Sequence, residues 1–357
     1  MTRPLLCLAG LVVLLAAWNA LLAAREERAR ESSNRVGALF SPEEAERLRK
    51  QPALRVELAG EAHAYGRVQG QWRCLSYRQA PADARAIQGL IDGLVRAEGL
   101  VHSREVAEAP LYGINAPGTI RVSLQGPRAT QDPGGDVLAT IEIGKNQPGR
   151  DSCFVRKQGT REIWAISGDL RAPLLARASG LPPLLEPAAV PAAWLEQGGA
   201  AEIEVRRGDE HFTLARRDRT FDPASAQPGD LPWTWILDPG ASEQELPPSV
   251  AAAYADFVER LPYVDVLDEA RRAESGLAPP HATVALRPLE GAPLVLAFGA
   301  PDSAGRVPLW VEATRALYLV DARVFELAAP TRSLLARAEE DEHPWSDARR
   351  AAPSEPR

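Results

Sequence analysis

IEIGKNQPGRDSCFVRKQGTREIWAIS, Ile141 to Ser167, sets a glycine–lysine pair between apolar runs that alternate with polar residues. A phosphate-cradling loop requires the pattern G-x-x-x-x-G-K-[ST] after a strand and before a helix, so that backbone N–H groups face the phosphates. Here Lys145 follows the first glycine, no hydroxyl residue holds the last position, and the next run reads as a strand. The stretch is a turn between antiparallel strands. That reading makes the chain a β-rich scaffold rather than a nucleotide enzyme.

Working outward, the same order of patterns occurs twice. LRVELAGEAHAYGRVQGQWRCLSY alternates (Val56, Leu58; Tyr65, Val68, Trp72, Leu75) and predicts a hairpin. Ile87, Leu90, Ile91, Leu94 and Val95 then fall at i, i+3, i+4, i+7 and i+8, one apolar helix face, with Pro81 and Asp83 suited to its first turn. A glycine turn and four strand-like runs follow, ending in a short closing helix. After the proline-rich PPLLEPAAVPAAW, AEIEVRRGDEHFTLARR predicts a second hairpin. Val250, Tyr254, Phe257, Val258 and Leu261 predict a second helix face, and LVLAFGAPDSAGRVPLWVEATRALYLV repeats the opening stretch without its lysine. Gly299 lies 155 residues after Gly144, Trp310 156 after Phe154, Tyr318 154 after Trp164, and Gly276 163 after Gly113.

These patterns predict an α+β chain: an N-terminal transmembrane helix, then two tandem modules, each an antiparallel sheet with a packed helix. The boundaries are a short cytoplasmic N-terminus (1–4), the anchor (5–24), a charged stalk (25–50), a first module (51–185), a proline-rich linker (186–200), a second module (201–330) and a polar tail read as disordered (331–357). Leu5–Ala24 supplies twenty nearly uninterrupted apolar residues, enough for a hydrocarbon core of about 30 Å. A cleaved signal peptide would have a shorter apolar region and a small-x-small site, and LAA at Leu22–Ala24 fits that poorly. The N-in orientation expected of so short a leader puts both modules on the periplasmic side of a bacterial inner membrane.

Net charge is −7 and no basic stripe with interleaved aromatics occurs, so a nucleic-acid partner is not expected. Cys74 and Cys153 would then sit where disulfides are permitted; they either pair or remain two buried thiols. His63, His102, His211, His281 and His343 show no metal-ligand spacing, G-x-S-x-G is missing, and the carboxylates of EEDEH and DEARRAE lie in solvated charge runs. No catalytic residue, metal or cofactor is therefore expected. Trp233 and Trp235, in GDLPWTWILDPG, which reads as a long proline-bounded loop between the second hairpin and its helix, either contact a glycan or partner protein or pack with one ring in the core and the other capping it.

The helix opened by PAD, the turn YGINAP, the strand end IEIG and the run FVRKQGTREIWAIS together resemble the DUF4340 family. The resemblance is best over Trp72–Leu185 and weaker over Ala201–Ala329. It implies a bacterial envelope protein associated with ABC-type transporters of the gliding-motility auxiliary kind, and it carries no catalytic residues. The function expected is that of a non-catalytic, membrane-anchored accessory or interaction subunit with ABC transporter subunits as partners. The alternatives are a module binding envelope polysaccharide or peptidoglycan, and an envelope enzyme of unfamiliar site.

Overall fold

The structure, a computed structural model, describes residues 18–19, 36–50, 53–126, 136–175, 180–218, 233–238, 240, 243–338 and 344–345. The expected anchor at Leu5–Ala24 lies outside them, Trp18 and Asn19 aside, as does the first part of the stalk, 25–35. No helix among the described residues is long and apolar enough to cross a membrane, which says nothing of a membrane β-barrel.

In chain order the strands are β1 (Gly37–Ala38), β2 (Ala53–Leu58), β3 (Glu61–Val68), β4 (Gln71–Cys74), β5 (Ala80–Pro81), β6 (Glu98–Ser103), β7 (Ile120–Gln125), β8 (Val137–Asn146), β9 (Ser152–Lys157) and β10 (Ile163–Ser167). They continue with β11 (Glu202–Arg207), β12 (Glu210–Asp218), β13 (Trp233–Leu237), β14 (Gln244–Glu245), β15 (Asp265–Leu267), β16 (Ala282–Arg287), β17 (Leu294–Phe298), β18 (Arg306–Val311) and β19 (Ala316–Asp321). The helices are α1 (Pro42–Arg49), α2 (Ala84–Val95), α3 (Ala172–Leu175), α4 (Ala192–Leu195), α5 (Pro248–Glu259), α6 (Ala322–Ala328) and α7 (Arg332–Arg337). Two 3-10 turns cover Val106–Tyr112 and Glu269–Glu274. The fold class is α+β with antiparallel sheets, as the two periodicities predict.

Contacts divide the chain into two compact units, Met1–Ala64 with Gln88–Pro173, and Tyr65–Ile87 with Leu174–Arg357. In the first, the antiparallel strand order is β1-β6-β10-β9-β8-β7-β2, followed by the start of β3. Its α1 is opened by a capping box: Ser41 Oγ accepts from the Glu44 N–H at 3.2 Å, and Glu44 Oε2 from the Ser41 N–H at 3.0 Å. Leu39, Phe40, Ala45 and Leu48 are buried, and Lys157 Nζ reaches Glu44 Oε1 at 2.7 Å. The end of the expected stalk, from Val36, is thus part of the first unit, because its apolar residues have a sheet to bury against.

The second unit holds the antiparallel order β14-β13-β12-β11-β16-β17-β18-β19-β15. The segment Tyr65–Ile87, with β4 and β5, belongs to it rather than to the first module. Tyr65 Oη donates to the Pro183 carbonyl, and the Asp83 N–H donates to the Leu184 carbonyl at 2.8 Å. The division therefore does not fall in the proline-rich stretch. Beyond 330, in the stretch read as a tail, α7 is capped by Thr331, and Trp345 is buried, edge-on to Tyr254, with Nε1 donating to the Leu327 carbonyl at 2.9 Å.

The duplication holds in connectivity. β2 to β5, α2, β6, a 3-10 turn and β7 to β10 recur as β11 to β14, α5, β15, a 3-10 turn and β16 to β19. Partners recur too: β2 with β7, β7 with β8, β8 with β9, β9 with β10 and β10 with β6 become β11 with β16, β16 with β17, β17 with β18, β18 with β19 and β19 with β15. The predicted helix faces are buried in both copies, from Ile87 to Val95 and from Val250 to Leu261.

Register corrects one of the four spacings. Val155 faces Ile143 and Leu309 faces Phe298, so Val155 matches Leu309, Phe154 matches Pro308, and Trp310 matches Arg156. Trp164 and Tyr318, opposite those same residues, do correspond. So do the glycines. A Cβ on Gly144 would lie 2.1 Å from the Tyr112 carbonyl oxygen, and one on Gly299 2.1 Å from that of Ser275. The strand passes against the preceding turn, and only glycine lets the two backbones approach so closely.

Candidate functional site

On β2, β7, β8 and β9 of the first unit, one charged residue per strand falls in register: Glu57 opposite Arg121, Arg121 opposite Glu142, Glu142 opposite Arg156. Directly opposite residues in antiparallel strands share a face, so the four make a row of alternating sign. Its inner half is tight. Arg156 donates from Nε and Nη2 to Glu142 Oε2 at 2.7 and 2.5 Å, and from Nη2 to Asn115 Oδ1 at 2.9 Å. Glu142 and Arg156 retain only 4% and 8% exposure. Its outer half is looser: Arg121 Nε to Glu142 Oε1 is 3.4 Å, and Arg121 Nη1 to Glu57 Oε2 is 3.8 Å. The row floors an open cleft of about 430 Å3, where Ser123 and Thr140 share a hydrogen bond at 2.9 Å.

At the same register the second unit places Arg206, Thr283, Ala297 and Trp310. The ion row is gone; instead Arg272 stacks over the Trp310 ring at 4.1 Å, and Trp310 Nε1 donates to Glu312 Oε2 at 2.6 Å. Charge moves to Glu204, which takes hydrogen bonds from Arg206 Nε at 2.7 Å and Arg287 Nη2 at 3.0 Å and lies 3.1 Å from His211 Nε2. The Arg287 and Arg206 guanidiniums hold its carboxyl down at about 2.

A second cluster lies in the second unit. Tyr77 Oη donates to Asp265 Oδ1 at 2.5 Å, Arg78 Nη1 to Asp265 Oδ2 at 2.8 Å, and Arg73 to the Thr314 carbonyl. Burial, and then the neighbouring Asp265, push the Tyr77 hydroxyl up to about 12. Burial opposes ionisation of Asp265 too, but the donors from Tyr77 and Arg78 outweigh it and its pKa is lowered. Arg73, Arg78, Arg315, Asp268 and Glu269 line a cleft of about 430 Å3 beside this cluster.

Trp233 and Trp235 stand on β13 and not in a loop. Two residues apart on a strand, they share a face, with ring centroids 6.1 Å apart and planes at 88°. Trp235 is 2% exposed; Trp233 is half-buried, with the Arg216 guanidinium 4.1 Å above its ring. Cys74 in β4 and Cys153 in β9 are two free, buried thiols, not a pair. Burial raises both, Cys153 to about 11. His281 packs against Phe325 at 5.7 Å between centroids, and His343 lies outside the described residues. Among the described residues, no group of three or more His, Cys, Asp or Glu could hold a metal ion.

The charged row escaped the sequence reading because its members are separated by irregular intervals. LRVEL, IRVSLQ, IEIG and FVRK each hold one of the four, but each run shows only its own alternation and not which strand it faces.

Comparison with curated proteins finds no match. Comparison with solved structures finds none either. A scan against protein families matches one, Domain of unknown function (DUF4340), once, over residues 72–280. That span is more than half of the chain and runs from β4 of the first copy through the proline-rich stretch to the loop that precedes β16, so the match takes in parts of both copies. The chain belongs to the DUF4340 family.

Proposed function

We propose that the protein is a membrane-anchored, non-catalytic interaction subunit of a bacterial envelope, with Leu5–Ala24 as its anchor, both copies on the periplasmic side, and an ABC-type transport or motility complex as its assembly. The observation that carries this reading is the contrast between frame and face. Two copies keep the same strand order and the same backbone crossings at Gly144 and Gly299. At matched register they present different chemistry, Glu57–Arg121–Glu142–Arg156 against Arg206–Thr283–Ala297–Trp310. A duplicated frame with diverged faces suits a protein that holds two different surfaces. The innermost charges, Glu142 and Arg156, are spent on each other and on Asn115, the arrangement of a structural pair rather than of a poised acid or base.

The test is crosslinking in intact cells followed by affinity purification from solubilised membranes. Recovery of transporter permease or ATPase subunits at fixed stoichiometry is expected. Recovery of the chain alone, with no crosslinked species, overturns the reading.

A further inference from the structure

Aligning the two copies by register exposes a cavity that one copy fills and the other leaves open. In the first, His102, Tyr112 and Phe154 close on one another with ring centroids 4.9 to 5.2 Å apart. Phe154 and Tyr112 pack with Ala109, Ile114 and Ile163, while His102 lies exposed on their outer side. Glu108 seals the edge, taking a hydrogen bond from Ser103 Oγ at 2.6 Å and one from Tyr112 Oη at 3.4 Å.

Two of the three ring positions have a partner in the second copy. Val101 and Val266 lie opposite the matched Trp164 and Tyr318, but a bulge in the first copy puts Ser103 opposite Ile163 where the second has Leu267 opposite Leu317, so Leu267 stands for Ser103 and His102 has no counterpart. Phe154 becomes Pro308 by the register of β9 and β18. Counting back from the matched glycines Gly113 and Gly276, Tyr112 becomes Ser275 and Glu108 becomes Arg271. None of the three aromatic rings is kept: Ser275 and Pro308 stand for Tyr112 and Phe154, nothing stands for His102, and the sealing carboxylate becomes a guanidinium. Leu267, Ser275, Pro308 and Arg271 line a cleft of about 370 Å3 at that place.

We propose that this cleft receives an aromatic side chain of a partner protein, flanked in the partner by a carboxylate that pairs with Arg271. The inference rests on the interaction-subunit reading and names the chemistry of the partner. The size argument comes from the first copy, whose own rings fill the equivalent space. The charge argument comes from Arg271. Among the described residues its guanidinium has no hydrogen-bond or ion-pair partner; only its main chain is engaged, with Asp268 and Ser275. The other cation of the cleft, Arg306, is held by Asp302 at 3.3 Å, and Asp302 Oδ1 is taken by the Ala304 and Arg306 N–H groups at 2.8 and 2.9 Å. Glu274 also lines the cleft and repels an incoming carboxylate, so the partner's charge must be placed against Arg271 rather than merely attracted. A buried aromatic next to an arginine is the usual composition of an interface hot spot.

The experiment titrates the full-length protein in detergent with the blocked tripeptide acetyl-Asp-Phe-Gly-amide, by calorimetry. Saturable binding is expected. Arg271→Gln should weaken it about tenfold, as loss of one charge-assisted pair does; Glu274→Gln should tighten it, and Ser275→Tyr, which restores the first copy's ring, should abolish it. Thermal unfolding of Ser275→Tyr separates a filled cleft from a misfolded chain, and Arg271→Gln keeps the proposal exposed if that variant fails to fold. Binding indifferent to Arg271→Gln, equal binding of acetyl-Asn-Phe-Gly-amide, or tighter binding of free phenylalanine overturns the assignment. No peptide binding beside a recovered crosslinked partner rejects the cleft and leaves the interaction reading; peptide binding with no recovered partner does the reverse.

Discussion

Glu142 and Arg156 face each other across β8 and β9 with Arg156 Nε 2.7 Å from Glu142 Oε2, and both are more than nine-tenths buried. Removing Arg156 leaves the Glu142 carboxylate nearly buried on the cleft floor with only the looser Arg121, 3.4 Å away, to balance it. Arg156→Met should cost about 3–5 kcal/mol, whereas the double variant Arg156→Met with Glu142→Leu should recover most of that loss. Urea unfolding midpoints of the three proteins decide it. A double variant no more stable than the single one would mean that the pair does more than neutralise itself.

Gly144 and Gly299 mark the same crossing in the two copies. Alanine at either should destabilise by about 1–3 kcal/mol, the range of overpacking in a closed site. Gly89, where a Cβ would meet nothing within 4 Å, sits inside α2 and should gain about 0.5–1 kcal/mol on becoming alanine. Melting temperatures that fail to separate Gly89→Ala from the other two would contradict the close approach.

Burial raises the thiols of Cys74 and Cys153, so little thiolate exists at neutral pH, and the thiolate is the reactive form. Both should resist a thiol reagent at pH 8 in the native protein. In denaturant both should be alkylated at once without prior reduction. A requirement for reductant, read by peptide mass mapping, would restore the disulfide.

Glu204 is held well below the ordinary glutamate value of 4.5, at about 2, by Arg287 and Arg206. A depressed carboxyl stabilises the fold above its unfolded pKa and loses that contribution as pH falls through the folded one. The melting-temperature gap between the natural protein and Glu204→Gln should therefore be largest above pH 5 and close between pH 4 and 2. A gap that is flat over this interval would show that the arginines do not hold the charge.

Much of the frame was legible in the sequence. Helix faces such as Ile87–Val95 and Val250–Leu261 carry their own period and are buried where it puts them; of the first alternating hairpin, Val56, Tyr65 and Trp72 are buried, Leu58 and Val68 only in part, and Leu75 is exposed. The strands β5 and β14, of two residues each, and β15, of three, are too brief to show alternation. Trp233 and Trp235, read as part of a loop, belong to a strand that the prolines around them obscured. Trp345 sits among charged residues, and nothing local indicates that its ring is buried against Tyr254.

What the sequence determined by itself was the duplication, because two copies of one backbone path demand the same glycines at Gly144 and Gly299 and the same periodicities between them. What only the tertiary structure decided was which side chains meet. Glu57, Arg121, Glu142 and Arg156 are distant in the chain and become a row through register alone. The loss of the aromatic rings between the copies became a cleft only when register paired Phe154 with Pro308. Periodicity is a property of neighbouring residues and survives in the sequence; pairing across strands is set by packing and is not written in any one segment.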